Sequence, residues 1–466
     1  MAATLREIDP AEAWKPAPKA VWNHKWAAHL FRRAAFGVPA IGVFATRTSW
    51  ESLDQAVEAG REACIDLLMD GGPGTAYFDE LADEDGDSLM RSDAKLFDLQ
   101  GYWLNRLQFT PHPLQERMTL FWHNHFATSI VKVVKPQLML KQQMLLRKHA
   151  LGSFREMLVG IGRDSAMLIW LDANDNVKDA PNENYAREVM ELFSLGEGSY
   201  TEQDIREAAR AFSGWGTKRD EFAFTTTKHD DTEKTVLGQK GKWNGDDVAR
   251  ILLDQPAAAK HLVRKLFREF VSELESPPDD LIEPLAKQLR DSDYDMKPLM
   301  RTMLSSRLFF SAAAYRRRVK SPVEYVLGLL NSFYGVLSSV TIAELMDGLG
   351  QSLFAPPNVK GWDGGKTWLN SSTLLARHNL AWQLVGGEDG RFSRRMDPAA
   401  LVRQAKRTTQ EEQVAFLLEL LLQGEVDELV QGKLVAFLGD GPENEYNQRL
   451  REVTHTILLL PRYQLA

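Results

Sequence analysis

Apolar residues return every three to four positions along almost the whole of this chain, and that period constrains the fold more than any other feature. It predicts helices over residues 22–36, 50–69, 92–109, 113–128, 136–151, 154–160, 182–195, 201–213, 256–271, 278–290, 322–334, 342–349 and 372–385, then a terminal helical region over 398–460. Helix punctuation agrees at several points, with Thr201 as an N-cap and Gly196 and Gly198 as stop signals. Strand-like alternation is clear only at 222–237, where FAFTTTKHDDTEKTVLG reads as a short hairpin around a polar turn. The expected fold is mainly α: a large multi-helical domain with a small β-hairpin excursion and a C-terminal helical appendage. Its expected divisions are an N-terminal arm at 1–21, a helical domain at 22–385 with the hairpin insertion at about 216–245, and a linker and C-terminal helical region at 386–466. The Gly-rich acidic stretch at 69–88 breaks the period and is expected to be an exposed, mobile loop.

Composition narrows the function classes. Apolar residues make up 44% of the 466, enough to bury a sizeable core. The 56 Lys and Arg against 64 Asp and Glu give a net charge of −8, which argues against a general nucleic-acid binder. The single cysteine, Cys64, rules out internal disulfides and cysteine-rich zinc sites, and its apolar surroundings place it in the core. Uninterrupted apolar runs such as 457–460 are too short to span a bilayer. The first residues lack a basic-then-apolar leader, so a soluble, cytoplasmic chain is expected as written, with an envelope or exported location requiring a removed signal.

Chemistry-bearing residues gather in a few places. In QERMTLFWHNHFATS (115–129), His123 and His125 lie about 200° apart on a regular helix and cannot chelate one ion unless the helix ends near Asn124. In NENYAREVMELFSLG (182–196), Asn184, Arg187, Glu188 and Glu191 form a polar stripe beside an apolar face. Carboxylates one turn apart suit a divalent metal or acid–base work, though Glu–Arg pairs at this spacing are also ordinary solvated helix surface. In NVKGWDGGKTWLNSSTLLARHN (358–379), Lys360, Lys366, Arg377 and His378 surround a helix start that suits either an anion or a plain Asn370–Ser372 N-cap. His229, Asp230 and Asp231 sit at the tip of the expected hairpin. No phosphate-binding loop, dinucleotide fingerprint or nucleophile elbow is present.

The order of HLFRRAAFG, QERMTLFWHNHFATS, PNENYAREVMELFSLGEGSYTEQDIREAARAFSGW, HLVRKLFREFV, KSPVEYVLG and FAPPNVKGWDGGKTWLNSSTLLARHN resembles the bacterial domain of unknown function 1800 family over roughly residues 22–385. The resemblance implies an envelope or exported setting, from which this chain departs in showing no leader. It supplies no activity. It also draws His229, Asp230 and Lys234 above an ordinary turn, since TKHDDTEKTVLG resembles a family element.

Two functional expectations follow. One is a hydrolytic or metal-assisted enzyme, with His123, His125, Arg187 and Glu188 as the catalytic set and His123, Glu188 and Glu191 as ligands of a divalent metal. Lys360, Lys366, Arg377 and His378 then bind substrate. The other is a non-catalytic binding or assembly protein, in which the same groups form a buried structural network and tryptophan-rich surfaces meet a protein or glycan partner.

Overall fold

The computed structural model describes residues 5–37, 49–333, 335–386, 396–439 and 441–466. It is 64% helical, far above the usual third, and the strands among the described residues form two separate two-stranded antiparallel sheets. Local chemistry explains many helix starts. Pro113, Pro136, Pro256 and Pro322 occupy first-turn positions, where a missing N–H costs nothing. Reciprocal capping boxes close Thr201–Asp204, Asn244–Asp247, Ser321–Glu324 and Thr409–Glu412. No helix among the described residues is long and apolar enough to cross a membrane.

Three local expectations change. The acidic stretch expected to be a loop is largely the helix Thr75–Arg91. Its carboxylates Asp79 and Asp83 sit one turn apart and meet the guanidinium groups of Arg106 and Arg147, so acidity here is pairing rather than disorder. Gly86 does not break the helix; its missing Cβ lets the Tyr102 ring approach. The run 50–69 is interrupted at Gly60, whose φ of +89° separates Ser49–Ala59 from Arg61–Asp70. The expected single hairpin is two: β1 (Trp215–Lys218) pairs with β2 (Glu221–Phe224), and β3 (Lys234–Val236) pairs with β4 (Gln239–Gly241). Each turn holds two residues at positive φ, Arg219–Asp220 and Leu237–Gly238, which suits the twist of tight hairpins. The polar run 225–233 therefore connects two hairpins instead of capping one.

Apolar side chains collect into two main clusters. The first joins residues from the N-terminal segment to Ala314, including Trp14, Phe31, Trp122, Phe154, Met190 and Phe267. The second joins Leu99, Trp103 and Leu140 to Val323–Leu330 positions and to the helices Pro398–Gln404, Gln410–Leu422 and Tyr446–Leu459. The helix Pro113–His125 lies across both, giving Leu114, Met118 and Trp122 to the first and Leu120 to the second. That position fixes its C-terminal end firmly, and the site begins there. Cys64 is buried, as its neighbours predicted.

Candidate functional site

The Pro113–His125 helix stays regular to its last residue, so its two histidines leave in different directions. His123 accepts a hydrogen bond at Nε2 from the backbone N–H of Phe354 (3.1 Å), and its ring is enclosed by Trp103, Phe354 and Trp362. Burial pulls its pKa down to about 3, so it is a neutral structural acceptor at pH 7. His125 donates from Nε2 to the Phe193 carbonyl (3.1 Å), which leaves the Nδ1 lone pair with no partner among the described residues. Burial also holds this imidazole neutral, with Lys265 and His261 adding to the effect. Between them, Asn124 grips the backbone of Trp362 twice, accepting from its N–H (2.7 Å) and donating to its carbonyl (3.2 Å). Gly361, at φ +82°, permits this: a Cβ there falls 2.1 Å from Asn124 Oδ1. The loop at 360–364 is thereby clamped over the helix end.

The polar stripe of the helix Asn184–Glu191 does not meet His123. Its apolar face, Tyr185, Ala186, Val189 and Met190, is buried, which turns the polar face outward. Arg187 pairs with Glu202 (2.9 and 2.8 Å) and Glu183 (3.0 Å) at the surface. Glu188 is half-buried, and burial and Glu191 raise its pKa against the opposing pull of Lys360 and Arg187. Glu191 accepts from the Tyr200 hydroxyl (2.9 Å). Among the described residues, no three His, Cys, Asp or Glu side chains gather as a ligand set, so the expected group of His123, Glu188 and Glu191 is not assembled. Just beyond the end of this helix, Phe193 meets His125 through both its carbonyl and its ring.

The expected substrate-binding set is likewise dispersed. Arg377 is buried, donating to Gln464 Oε1 (3.0 Å) and the Lys320 carbonyl (2.7 Å) and lying over the Tyr325 ring. His378 is exposed against His455, whose Nε2 donates to the His378 carbonyl (3.1 Å). Lys366 is exposed. The helix start nearby is closed by Asn370 and Thr373, each bonding the other's backbone N–H, which is the capping alternative. His229, Asp230 and Lys234 serve the loop between hairpins. His229 Nδ1 donates to the Ser213 carbonyl (2.9 Å), Asp230 accepts from Arg210 (2.7 Å), and the buried Lys234 donates to the carbonyls of Asp230 and Thr232.

What does converge is a cleft of about 260 Å³ at the end of the histidine helix. His125 and Phe121 form one wall, and Lys265, Arg268 and Glu269 of the helix Pro256–Phe270 form another. The clamped loop brings Lys360, Trp362 and Asp363, while Glu273 and Arg318 complete it. Lys265 lies beside the C-terminal end of the Asn184–Glu191 helix, 3.4 Å from the Leu192 carbonyl oxygen, which His261 Nε2 also bonds at 3.1 Å. Burial, aided by Arg268, pulls the Lys265 ammonium down to about 7. Burial pushes the Glu273 carboxyl up, against the pull of Arg318. These environments set a weakened acid and weakened bases around one space, an arrangement suited to proton transfer. Sequence reading passed over Lys265, Glu273 and Arg318. The signal available was the i, i+4 pair His261 and Lys265 running beside an apolar stripe at 258, 259, 262, 263, 266, 267 and 270.

No curated protein matches the chain, and no solved structure does. A family model described as Protein of unknown function (DUF1800) matches residues 29–465, taking in the histidine helix, the Lys265 helix, the clamped loop and the helices after residue 396. A match over nearly the whole chain places this protein in that family, the DUF1800 proteins of unknown function.

Proposed function

We propose that the protein is an enzyme that uses the Lys265–His125 cleft for acid–base chemistry, hydrolysis being the reaction class its groups fit best. The observation that carries this reading is the placement of Lys265, a base with its charge weakened, beside His125, whose Nδ1 lone pair is unclaimed among the described residues. Such groups are costly to keep in a fold and are retained where they do chemistry. Arg268 and Lys360 around the same space favour a substrate with an anionic group. Lys265 takes the proton from the attacking water in this scheme and returns it from its ammonium to the leaving atom as that bond breaks, while His125 orients the substrate by accepting a hydrogen bond at Nδ1.

A non-catalytic binding role is the second reading. It is favoured by His123, Asn124 and Arg377, whose hydrogen bonds all go to the chain's own backbone or to Gln464. Trace acetylation of the intact protein, read lysine by lysine by mass spectrometry across pH 6–10, separates the two. Under the enzyme reading Lys265 labels ahead of the surface lysines at pH 7.5 with a midpoint near 7, and Lys265→Met abolishes any activity found among ester, phosphoester and glycoside substrates. A Lys265 that labels no faster than Lys366 sinks the acid–base assignment.

A further inference from the structure

A second cavity, which shares no lining residue with the Lys265 cleft, is built around buried cations and a hydroxyl with unfilled hydrogen bonds. It is lined by the helix His24–Ala34 through Ala28 and Arg32, by Leu53, by Lys320 and Glu324, by Leu420 and Leu421, and by Tyr463. Its volume is about 60 Å³. Arg32 donates from Nη1 to Gln423 Oε1, and Tyr315 and the Glu425 carboxylate nearby favour its charge, but its Nε and Nη2 are buried without a well-formed hydrogen bond among the described residues. The Tyr463 hydroxyl is buried and equally without a partner there. Lys320 is buried, lies 3.6 Å over the Tyr463 ring, and makes no ion pair among the described residues. Burial, with Arg32, Arg316 and Arg377 close by, pulls its ammonium well below the usual lysine range. The one carboxylate in the wall, Glu324, is already engaged by Arg117 (2.6 Å) and Arg318 (2.8 Å).

Unpaired buried donors of this kind cost the fold free energy unless something satisfies them. The Nε and Nη2 atoms of one guanidinium form the edge that takes the two oxygens of a carboxylate side by side. The rest of the wall is mainly apolar, with Ala28, Leu53, Leu420 and Leu421 outweighing Ser332 and Gln423. A phosphate dianion would leave its third oxygen facing this apolar wall, whereas a short alkyl chain fits it.

We infer that this cavity is a binding site for a short aliphatic carboxylate, held by the Nε–Nη2 edge of Arg32, the Lys320 ammonium and the Tyr463 hydroxyl, with its chain against Leu53, Leu420 and Leu421. The site is independent of the function proposed for the Lys265 cleft.

Isothermal titration of the intact protein with sodium butyrate and sodium hexanoate, at matched ionic strength, tests it. Inorganic phosphate and butan-1-ol serve as comparators. One saturable site per chain is expected for the carboxylates, with phosphate and the alcohol at least about tenfold weaker. Arg32→Gln removes the paired donors and should weaken binding by roughly tenfold or more. Tyr463→Phe keeps the ring under Lys320 and should weaken it by roughly threefold to tenfold. If Arg32→Gln does not fold, Tyr463→Phe alone decides. Lys265→Met should leave carboxylate binding unchanged, which separates failure here from failure of the cleft assignment. The inference is overturned if no carboxylate gives saturable binding, if phosphate binds as tightly as hexanoate, or if Tyr463→Phe in a folded protein leaves the affinity as it was.

Discussion

Two buried polar regions of this protein are made from the same residue types and reach opposite outcomes. Around Glu324, arginines and carboxylate answer one another: Arg117 and Arg318 donate to it, the Ser321 N–H adds a third bond at 2.7 Å, and Glu269 lies close to both arginines. Burial opposes its ionisation, yet the two guanidinium groups hold its pKa far below the carboxylate range. In the adjoining cleft, Lys265 has only a long contact to a carbonyl and His125 keeps an unclaimed nitrogen. A buried charge with its partners present is scaffold, and one held short of partners is a reservoir for chemistry. Burial alone does not distinguish the two; partner geometry does.

The sharpest way to break this comparison is to open the closed region. Glu324→Ala strands Arg117 and Arg318 and should cost roughly 3–5 kcal/mol in urea unfolding. A loss under about 1 kcal/mol would mean that Glu269 suffices and that the network is not closed around Glu324.

The cleft should respond with the opposite sign. Lys265 binds its proton more weakly when folded (about 7) than when unfolded (10.5), so its charge penalises folding. The penalty is full below pH 7 and fades as pH rises toward 10.5. Lys265→Met should therefore stabilise the protein by roughly 2–4 kcal/mol at pH 7, with the gain shrinking at pH 9–10. Equal or lower stability of Lys265→Met at pH 7 would place this lysine with the satisfied groups.

His123 sharpens the comparison through pH. Its folded pKa of about 3 lies below the unfolded value near 6.5, so it costs nothing above pH 6.5 and penalises folding progressively as pH falls toward 3. At pH 5 the share of one such histidine is about 2 kcal/mol. His123→Gln, which can still accept from the Phe354 N–H, should flatten the fall in melting temperature between pH 7 and 5. An unchanged pH profile would show that this ring protonates in the folded state.

The smallest effect belongs to the surface. Arg187 keeps about a third of its side chain in water, with a 35% relative exposure. Arg187→Ala should therefore cost at most about 1 kcal/mol. A loss of several kcal/mol would make the Glu183–Arg187–Glu202 cluster a structural network after all.

Much of this was legible in the residues. The 3.6-residue period located most helices, because a helix that buries one face must carry its apolar residues at that spacing. The angle between His123 and His125 was legible too, since it follows from helix geometry alone. The Thr75–Arg91 helix was not, because its glycine and acids read as loop until Tyr102, Arg106 and Arg147 are placed against them. The two hairpins were misread as one because Arg219–Asp220 and Leu237–Gly238 are weak turn signals beside the longer polar run between them. The site was read by residue type rather than by neighbours. His123, Arg187 and Arg377 carry the right chemistry, and each was claimed elsewhere.

By itself the sequence determined the helical class, the buried stripes, the capping residues and the absence of disulfides, all of which depend on spacing within a few turns or on composition. Only the tertiary structure decided which polar residues were answered and which were left waiting. Lys265 lies 140 positions from His125 in the chain, and Arg32 lies 431 from Tyr463. Whether such residues meet, and whether a carbonyl or carboxylate reaches them first, depends on packing across the two cores, which no local pattern encodes.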